Sequence, residues 1–232
     1  MSMTMHNKIT ALGWCTVGTP IHEHVFRASV EQYVPHDSVT CYSQLNQPNF
    51  GAGYNELVKS MIAEGHTTFA ICNDDIVLRP DTWDVLQQDW QLLKTSDKPE
   101  QQVAGILAAR HDYVRMSPQN IRFDYGRVNL ETVSYPEEQQ IINVGVVSPI
   151  LAVYSAEAWI DFPEINWFSD DVQCWDIRHA GHTIWVSRAY CHHIGSMTMG
   201  HNYEHEERTA VDWLKNNRPD FYERLAQHRN AQ

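Results

Sequence analysis

Two adjacent carboxylates occur in the stretch Cys72-Asn73-Asp74-Asp75, directly after an apolar run at residues 67–72 that predicts a strand. In open α/β sheets, ligands bind in the crevice beyond the carboxyl ends of the strands. Paired carboxylates at that place suit a hard divalent cation that also holds phosphate oxygens. A plain strand-to-loop turn is the alternative interpretation, because Asn and Asp are common turn residues.

Glycines open a predicted helix just upstream, in the stretch Asn49-Phe50-Gly51-Ala52-Gly53-Tyr54-Asn55. Glycines at a helix start let backbone N–H groups approach an anion. The stretch is not a Walker loop, because no Gly-Lys-Ser/Thr follows it, and it lacks clean GxGxxG spacing. Taken alone, it fits a phosphate site and an ordinary flexible loop alike.

A second acidic pair, Asp170-Asp171, lies in the first turn of a helix that we expect Ser169 to cap. In the structural interpretation, the negative charge of the pair complements the helix dipole. In the functional interpretation, the same dipole keeps a carboxylate ionised, as a general base must be. Further along, His192-His193 follows a predicted strand. Neutral imidazole is a good metal ligand, although a lone His is more often structural or solvated.

The segments that must position these residues alternate between strand and helix, which predicts an α/β domain with a largely parallel sheet. The tail from residue 204 onward predicts a charged helix. No internal repeat or linker interrupts the pattern, so we expect one domain. The predicted strands cover residues 9–15, 38–45, 67–72, 103–108, 141–147, 151–154 and 183–191.

Composition restricts the function classes. The 232 residues carry a formal net charge of -12, and 43% of them are apolar against 20% charged, which excludes general disorder. So acidic a chain does not coat duplex DNA by charge alone. No run approaches the roughly 18 apolar residues of a membrane span. Five cysteines without a CxxC motif predict reduced thiols and a cytoplasmic location.

Taken in order, the motifs resemble the family 2 type of GT-A glycosyltransferase, the nucleotide-sugar-dependent and usually inverting branch. The resemblance covers about residues 8–200, and the compact size also resembles viral sugar transferases. It is carried by the Asn-x-Gly-like stretch at 49–55, the strand ending in Asn73-Asp74-Asp75 with Pro80-Asp81 beyond it, the stretch Trp167-Phe168-Ser169-Asp170-Asp171 with Gly181 after it, and the His-x-x-Gly of 192–195.

The resemblance implies a single GT-A (Rossmann-like) domain over residues 1–232, with a mostly parallel central sheet flanked by helices. Residues 8–100 correspond to the nucleotide-sugar-binding half. Residues 101–200 correspond to the acceptor-binding half that also carries the catalytic base, and residues 201–232 form a helical tail.

Site roles follow from the resemblance position by position. Asp75 is similar to the carboxylate that binds Mn²⁺ or Mg²⁺, and Asn73 and Asp74 to the residues flanking the ribose and diphosphate. Asp171, with Asp170 beside it, resembles the catalytic base. His192 resembles the His that reaches the metal or diphosphate, and His193 remains its rival because the register is uncertain by one.

The nucleotide itself is expected at the ends of the first two strands and at the glycine-rich helix start. A UDP-sugar is the first expectation. Family members often place an acidic residue near the second strand end, where this chain has Ser43-Gln44-Leu45-Asn46. The base specificity is therefore open. The residues concerned are Thr16, Gly18, Thr19, Pro20, Ser43, Asn46, Gly51 and Asn55.

The implied reaction is a single displacement in which Asp171 removes the proton of an acceptor hydroxyl and the anomeric carbon inverts. The acceptor is open. Residues 110–127 contain four arginines against two aspartates, which favours an anionic acceptor such as a phospho-glycan, a lipid-linked diphosphate or a hydroxymethylated DNA base. In the alternative interpretation, these arginines are solvated or internally paired and bind no acceptor. They are Arg110, Arg115, Arg122 and Arg127, against Asp112 and Asp124.

Three other classes remain open. A nucleotidyltransferase uses a similar sheet and metal, but residues 18–23 lack the cations that hold a triphosphate. A metal-dependent hydrolase lacks HxH or HExxH spacing. A non-catalytic nucleotide-sugar-binding module would tolerate loss of Asp171.

Overall fold

A central eight-stranded sheet organises the chain in the computed structural model, which describes residues 7–112, 118–121, 140–195 and 203–230. The strands are β1 (Ala11–Thr16), β2 (Thr40–Leu45), β3 (Thr68–Asn73), β4 (Ile76–Leu78), β5 (Ala104–Arg110), β6 (Ile142–Val144), β7 (Leu151–Ser155) and β8 (Thr183–His193). The helices are α1 (Pro20–Tyr33), α2 (Phe50–Ala63), α3 (Thr82–Lys94), α4 (Pro99–Gln102), α5 (Ser169–His179), α6 (Tyr203–Asn217) and α7 (Pro219–Asn230).

The strand order is β2-β1-β3-β7-β5-β8-β4, with β6 also paired to β8. The pairs β1–β2, β1–β3 and β5–β8 are parallel, and β7 lies antiparallel between β3 and β5. Strands β1, β2, β3, β5 and β8 therefore run in one direction, and their carboxyl ends share one edge of the sheet. The short strands β4 and β6 pair antiparallel with β8.

Helices cover both faces of the sheet, because alternate strand residues point to opposite sides. One buried cluster includes Leu12, Trp14 and Phe26, and extends to Trp90 of α3. The other includes Ala11, Leu57 of α2 and Ile177 of α5. The sheet is thus held between α1 and α3 on one face and α2 and α5 on the other.

An ion pair between buried Asp89 and partly exposed Arg188 anchors β8 to α3. Asp89 is fully buried and accepts hydrogen bonds from Ser187 Oγ at 2.7 Å and from Arg188 N at 2.8 Å. The Arg188 guanidinium also donates to it through Nε at 2.9 Å. A buried carboxylate is stable only when it is paired in this way, so the path of β8 toward its two terminal histidines is closely constrained.

The tail helices, α6 and α7, pack against α5. Leu214 and Phe221 form a buried cluster with Val172 of α5. None of the helices in the described ranges is long and apolar enough to cross a bilayer.

Two local features differ from the sequence expectations. Ile76–Leu78, where no strand is predicted, forms β4 by pairing with the end of β8. Helix α5 begins at Ser169 itself, and its N-cap is Phe168. The Ser169 hydroxyl does not cap the helix, because it donates to Pro163 O at 2.8 Å.

Candidate active site

A cleft of about 660 Å³ opens at the edge where the parallel strands end. It brings together the end of β1, the turn between β3 and β4, the segment before β7, and the start of α5. The lining residues are 15–17, 47–50, 54, 73–75, 148–150, 166–171 and 193. Both acidic pairs predicted from the sequence, Asp74-Asp75 and Asp170-Asp171, therefore lie in one cleft.

The first acidic pair is almost fully buried in the turn between β3 and β4. Asp74 is 7% exposed and Asp75 is 5% exposed. Among the described residues, Asp75 Oδ1 has no hydrogen bond of good geometry, and it lies 3.1 Å from His193 Nε2. Burying a carboxylate with so little hydrogen bonding is costly, so this atom is suited to receive a cation.

The two histidines at the end of β8 point in opposite directions, as consecutive strand residues do. The His193 side chain is buried beside Asp75 and lines the cleft. The His192 side chain is 50% exposed, and its Nδ1 lies 2.6 Å from Asp112 Oδ2. Geometry thus associates His193 with Asp75, where the motif register had left the choice open.

Asp75 and His193 fit a divalent cation. In an octahedral site with ligand distances of about 2.1 Å, neighbouring ligand atoms lie about 3 Å apart, close to the observed 3.1 Å between Oδ1 and Nε2. Within the described ranges, no group of three or more His, Cys, Asp and Glu side chains forms a metal site. Two protein ligands leave coordination positions for diphosphate oxygens and water.

Asp112 is a site residue that sequence reasoning missed. It is 6% exposed, and it follows β5, whose parallel neighbour is β8. Its Oδ1 accepts the backbone N–H of His193 at 3.0 Å, while its Oδ2 faces His192. The strand-end rule applied to the first acidic pair would have found it, because Asp112 also follows a buried strand.

The second acidic pair lies at the N-terminus of α5, where the helix dipole favours negative charge. Asp170 Oδ1 accepts the N–H of Asp171 at 3.1 Å. Phe168, directly before the helix, has φ of 63°, a left-handed conformation that a bulky residue adopts rarely and at a cost. The backbone turn that directs this pair into the cleft is therefore strained.

The glycine-rich start of α2 does not present its predicted residues to the cleft. Asn55 binds the backbone of Phe162 through both side-chain atoms, at 2.7 and 2.9 Å. Two of the first N–H groups of the helix are occupied, since Phe50 N donates to Asn166 Oδ1 and Ala52 N to Asn49 Oδ1, each at 2.8 Å. This helix start holds the segment 162–166 in place.

Gly51 has a packing role in that contact. A Cβ atom at this position would lie 1.9 Å from Pro163 O. We expect Gly51→Ala to lower the free energy of unfolding by about 3 kcal/mol, because a backbone atom cannot move aside easily. Gly145→Ala is the matched control for denaturant unfolding, since only the flexible end of Arg178 approaches that position, at 3.3 Å. A smaller effect at Gly51 than at Gly145 would contradict the packing role.

The two strand ends assigned to the nucleobase are only partly at the cleft. Thr16 lines it, and its hydroxyl accepts the N–H of Gly18 at 3.0 Å. Thr19 is the N-cap of α1 and Pro20 its first residue, and Thr19 does not line the cleft. Ser43 and Asn46 are exposed outside the cleft lining as well.

The cluster of arginines proposed for an anionic acceptor is described only at its beginning. Arg110 is 3% exposed and donates to Pro118 O and Gln140 O at 2.5 and 2.8 Å. It therefore serves the fold, as the internally paired alternative predicted. Arg115, Arg122, Arg127 and Asp124 lie outside the described residues.

No protein-family profile and no curated protein matches this sequence. Solved structures are similar at low identity. A197 from STIV, a viral protein, is 10% identical with a TM-score of 0.50, over 81% of this chain and 86% of that one. S. aureus TarS 1-349 is 13% identical with a TM-score of 0.51, over 80% of this chain and 60% of that one.

A third similar structure is the mannosyltransferase PcManGT from Pyrobaculum calidifontis in complex with GDP-Man and Mn²⁺. It is 10% identical with a TM-score of 0.51, over 81% of this chain and 57% of that one. This chain thus spans less than two thirds of the TarS and PcManGT chains. At such low sequence identity, the structural similarity shows the fold alone. It confirms the predicted GT-A fold with its mostly parallel sheet and helical tail.

Proposed function

We propose that this protein is a metal-dependent glycosyltransferase that moves a sugar from a nucleotide-sugar donor to an acceptor hydroxyl with inversion. One observation carries the proposal: the buried pair Asp74-Asp75 and the helix-start pair Asp170-Asp171 line the same cleft of a GT-A fold. One pair suits the donor diphosphate with its cation, and the other suits proton removal.

The donor is held at the first pair. Among the described residues, four carboxylates line the cleft, so a nucleoside diphosphate entering it needs a cation to offset the repulsion. Asp75 and His193 would hold Mn²⁺ or Mg²⁺, and PcManGT was solved with GDP-Man and Mn²⁺. The cation, when bound, neutralises the charge that develops on the diphosphate leaving group. Asp74 and Asn73 orient the ribose and diphosphate.

The acceptor is activated at the second pair. Asp171 accepts the proton of the attacking hydroxyl, and the positive end of the α5 dipole favours negative charge at this position. Asp170 accepts the N–H of Asp171 through one of its oxygens, so we assign Asp170 the role of supporting the base.

Direct displacement fits the other groups at the cleft. Burial, with the nearby charge of Asp74, raises the pKa of the Cys15 thiol to about 12, so it remains neutral and unreactive. Burial also raises the pKa of Tyr54 well above its ordinary value, and its hydroxyl donates to Cys72 O at 2.7 Å. Neither supplies a nucleophile, so a double displacement would need one of the carboxylates that the proposal assigns to the cation and the base.

The proposal is tested by titrating the protein with UDP-, GDP- and dTDP-sugars with and without Mn²⁺, following binding by calorimetry and sugar release by mass spectrometry. We expect one UDP-sugar to bind and to be slowly hydrolysed only with metal, and EDTA to abolish both effects. A GDP-sugar as the preferred donor would change the base assignment alone. Metal-independent binding, or none across the panel, would overturn the proposal.

The acceptor is proposed only as a hydroxyl compound. Phospho-glycans, lipid-linked diphosphates and hydroxymethylated DNA are the anionic candidates to supply with the preferred donor, beside a neutral oligosaccharide. The product mass identifies the acceptor class.

Asp112 gives a further prediction. Asp112→Ala removes both the acceptor of the His193 N–H and the charge that faces His192, so we expect Mn²⁺ to bind about tenfold more weakly, as is common for groups that orient metal ligands. The measurement is Mn²⁺ titration by electron paramagnetic resonance. His192→Ala keeps the bond from Asp112 to His193 N and is expected to change the affinity less; the reverse ranking would refute the role of Asp112.

A further inference from the structure

The tail helices contact α5 through a bidentate ion pair. Arg218, between α6 and α7, donates from Nη1 and Nη2 to the two oxygens of Asp176 at 2.7 and 2.8 Å. The same guanidinium contacts Asp220. Both Arg218 and Asp176 are largely buried, with side-chain exposures of 23% and 27%. Such fork-to-fork pairs fix orientation as well as distance, so the middle of α5 is held at a defined angle to the tail helices.

Apolar and aromatic contacts extend this junction along α5. Leu214 is fully buried against Val172, one residue after the acidic pair. The Arg224 guanidinium lies 4.1 Å from the centre of the Trp175 ring, a favourable cation–π distance. Consecutive turns of α5 are thus held from the same side.

A second connection runs from α6 to the cleft itself. Asn166, which lines the cleft, donates from Nδ2 to Glu206 Oε2 at 3.0 Å. Its Oδ1 accepts the N–H of Phe50 at 2.8 Å. Asn166 therefore joins α6 to the start of α2, and it holds the segment that leads into α5.

Between these two connections lies the strained residue. Phe168 has φ of 63°, and its side chain packs against the cluster of Val172, Leu214 and Phe221. Left-handed non-glycine residues are strained and persist only where surrounding contacts hold them. The tail helices supply such contacts here, immediately before Asp170 and Asp171.

From this geometry we infer that the tail helices position the catalytic carboxylates, and that Glu206 and Arg218 are positioning residues for the transfer reaction. The inference rests on the proposed function for its reaction, and on none of the proposed metal ligands. A small displacement of a base from its acceptor costs up to about a hundredfold in rate. Loosening this junction is therefore expected to lower kcat while donor binding, at the other acidic pair, is unaffected.

The test uses Glu206→Ala and Arg218→Ala in the full chain. Lys215→Ala is the control, because that exposed tail cation pairs with Asp212 on its own helix and lies 5.6 Å from the Tyr222 ring of α7, without an ion pair to α5 among the described residues. We expect kcat for donor hydrolysis to fall about tenfold or more in the two variants, with the Kd for nucleotide and Mn²⁺ within twofold of the wild type. Arg218→Lys, which keeps the charge without the fork, should recover only part of the rate.

Hydrogen exchange at the amides of residues 170 and 171 provides a readout independent of activity. Faster exchange in both variants than in Lys215→Ala, at a temperature where thermal melting shows all of them folded, supports the inference. Unchanged exchange, unchanged kcat, or a loss of nucleotide affinity parallel to the loss of kcat would overturn it. If the wild type hydrolyses no donor, the proposed function fails while the exchange result still decides the positioning role.

Discussion

Asp171→Asn is expected to leave metal-dependent nucleotide binding within twofold of the wild type and to reduce sugar transfer by about 10³-fold. The amide keeps the shape of the side chain but cannot take a proton, and general bases contribute about 10²–10⁴-fold to enzymatic rates. Asp171 lines the cleft from the start of α5, on a different element from the buried pair proposed to hold the donor. Binding and chemistry should therefore separate.

Calorimetry with the preferred donor and a product assay by mass spectrometry measure the two effects on one preparation. Asp170→Asn is the matched control, because the Asn oxygen can still accept the N–H of Asp171 that Asp170 Oδ1 accepts. We expect the fold loss of transfer activity in Asp170→Asn to be less than a tenth of the fold loss in Asp171→Asn. If Asp170→Asn is the more damaging change, the base is Asp170. Equal binding loss in both variants would mean that this pair belongs to the donor site.

Asp75→Asn is expected to give the opposite result: loss of metal-dependent nucleotide binding by at least about a hundredfold. The change removes the negative charge from an oxygen that lies 3.1 Å from His193 Nε2 and is otherwise poorly hydrogen-bonded among the described residues. A neutral amide oxygen binds a divalent cation far less well than a carboxylate does. The diphosphate then meets the remaining carboxylates without a neutralising charge.

Mn²⁺ titration and nucleotide titration, each with and without the other ligand, measure this effect. His193→Ala should lower Mn²⁺ affinity by a smaller factor, because a carboxylate carries charge and neutral imidazole does not. His192→Ala, on the opposite side of β8, is the control that should change it least. Nucleotide binding that survives Asp75→Asn at full strength, in protein whose thermal melting is unchanged, would exclude the metal role of Asp75.

Much of the site could be predicted from local patterns. The strand before Asn73-Asp74-Asp75 is mostly apolar, so the strand itself and the location of the pair at its end follow directly. The pair at 170–171 lies in a first helical turn as its sequence suggests. What these patterns did not contain was the partner of each group, because partners come from elements distant in the chain.

The glycine-rich stretch illustrates how one motif fits two kinds of contact. A glycine that approaches a phosphate and one that approaches a neighbouring backbone look alike in sequence, since both need only the absence of a Cβ. Gly51 meets Pro163 O, which lies more than a hundred residues away. Asn55 likewise bonds a distant backbone, that of Phe162, through its side-chain amide. Together they pack the start of α2 against the segment 162–166, whose last residue lines the cleft.

The acidic pairs, the alternation of strands and helices, and the excess of negative charge were determined by the sequence itself, because each depends on residue type and short-range spacing. Tertiary structure decided which of two consecutive histidines lies beside Asp75. Pairing of β4 with β8 brings His193 opposite Ile76, next to Asp75, and directs His192 to Asp112. Residue type cannot distinguish two adjacent histidines, but a strand with fixed register must turn them to opposite sides.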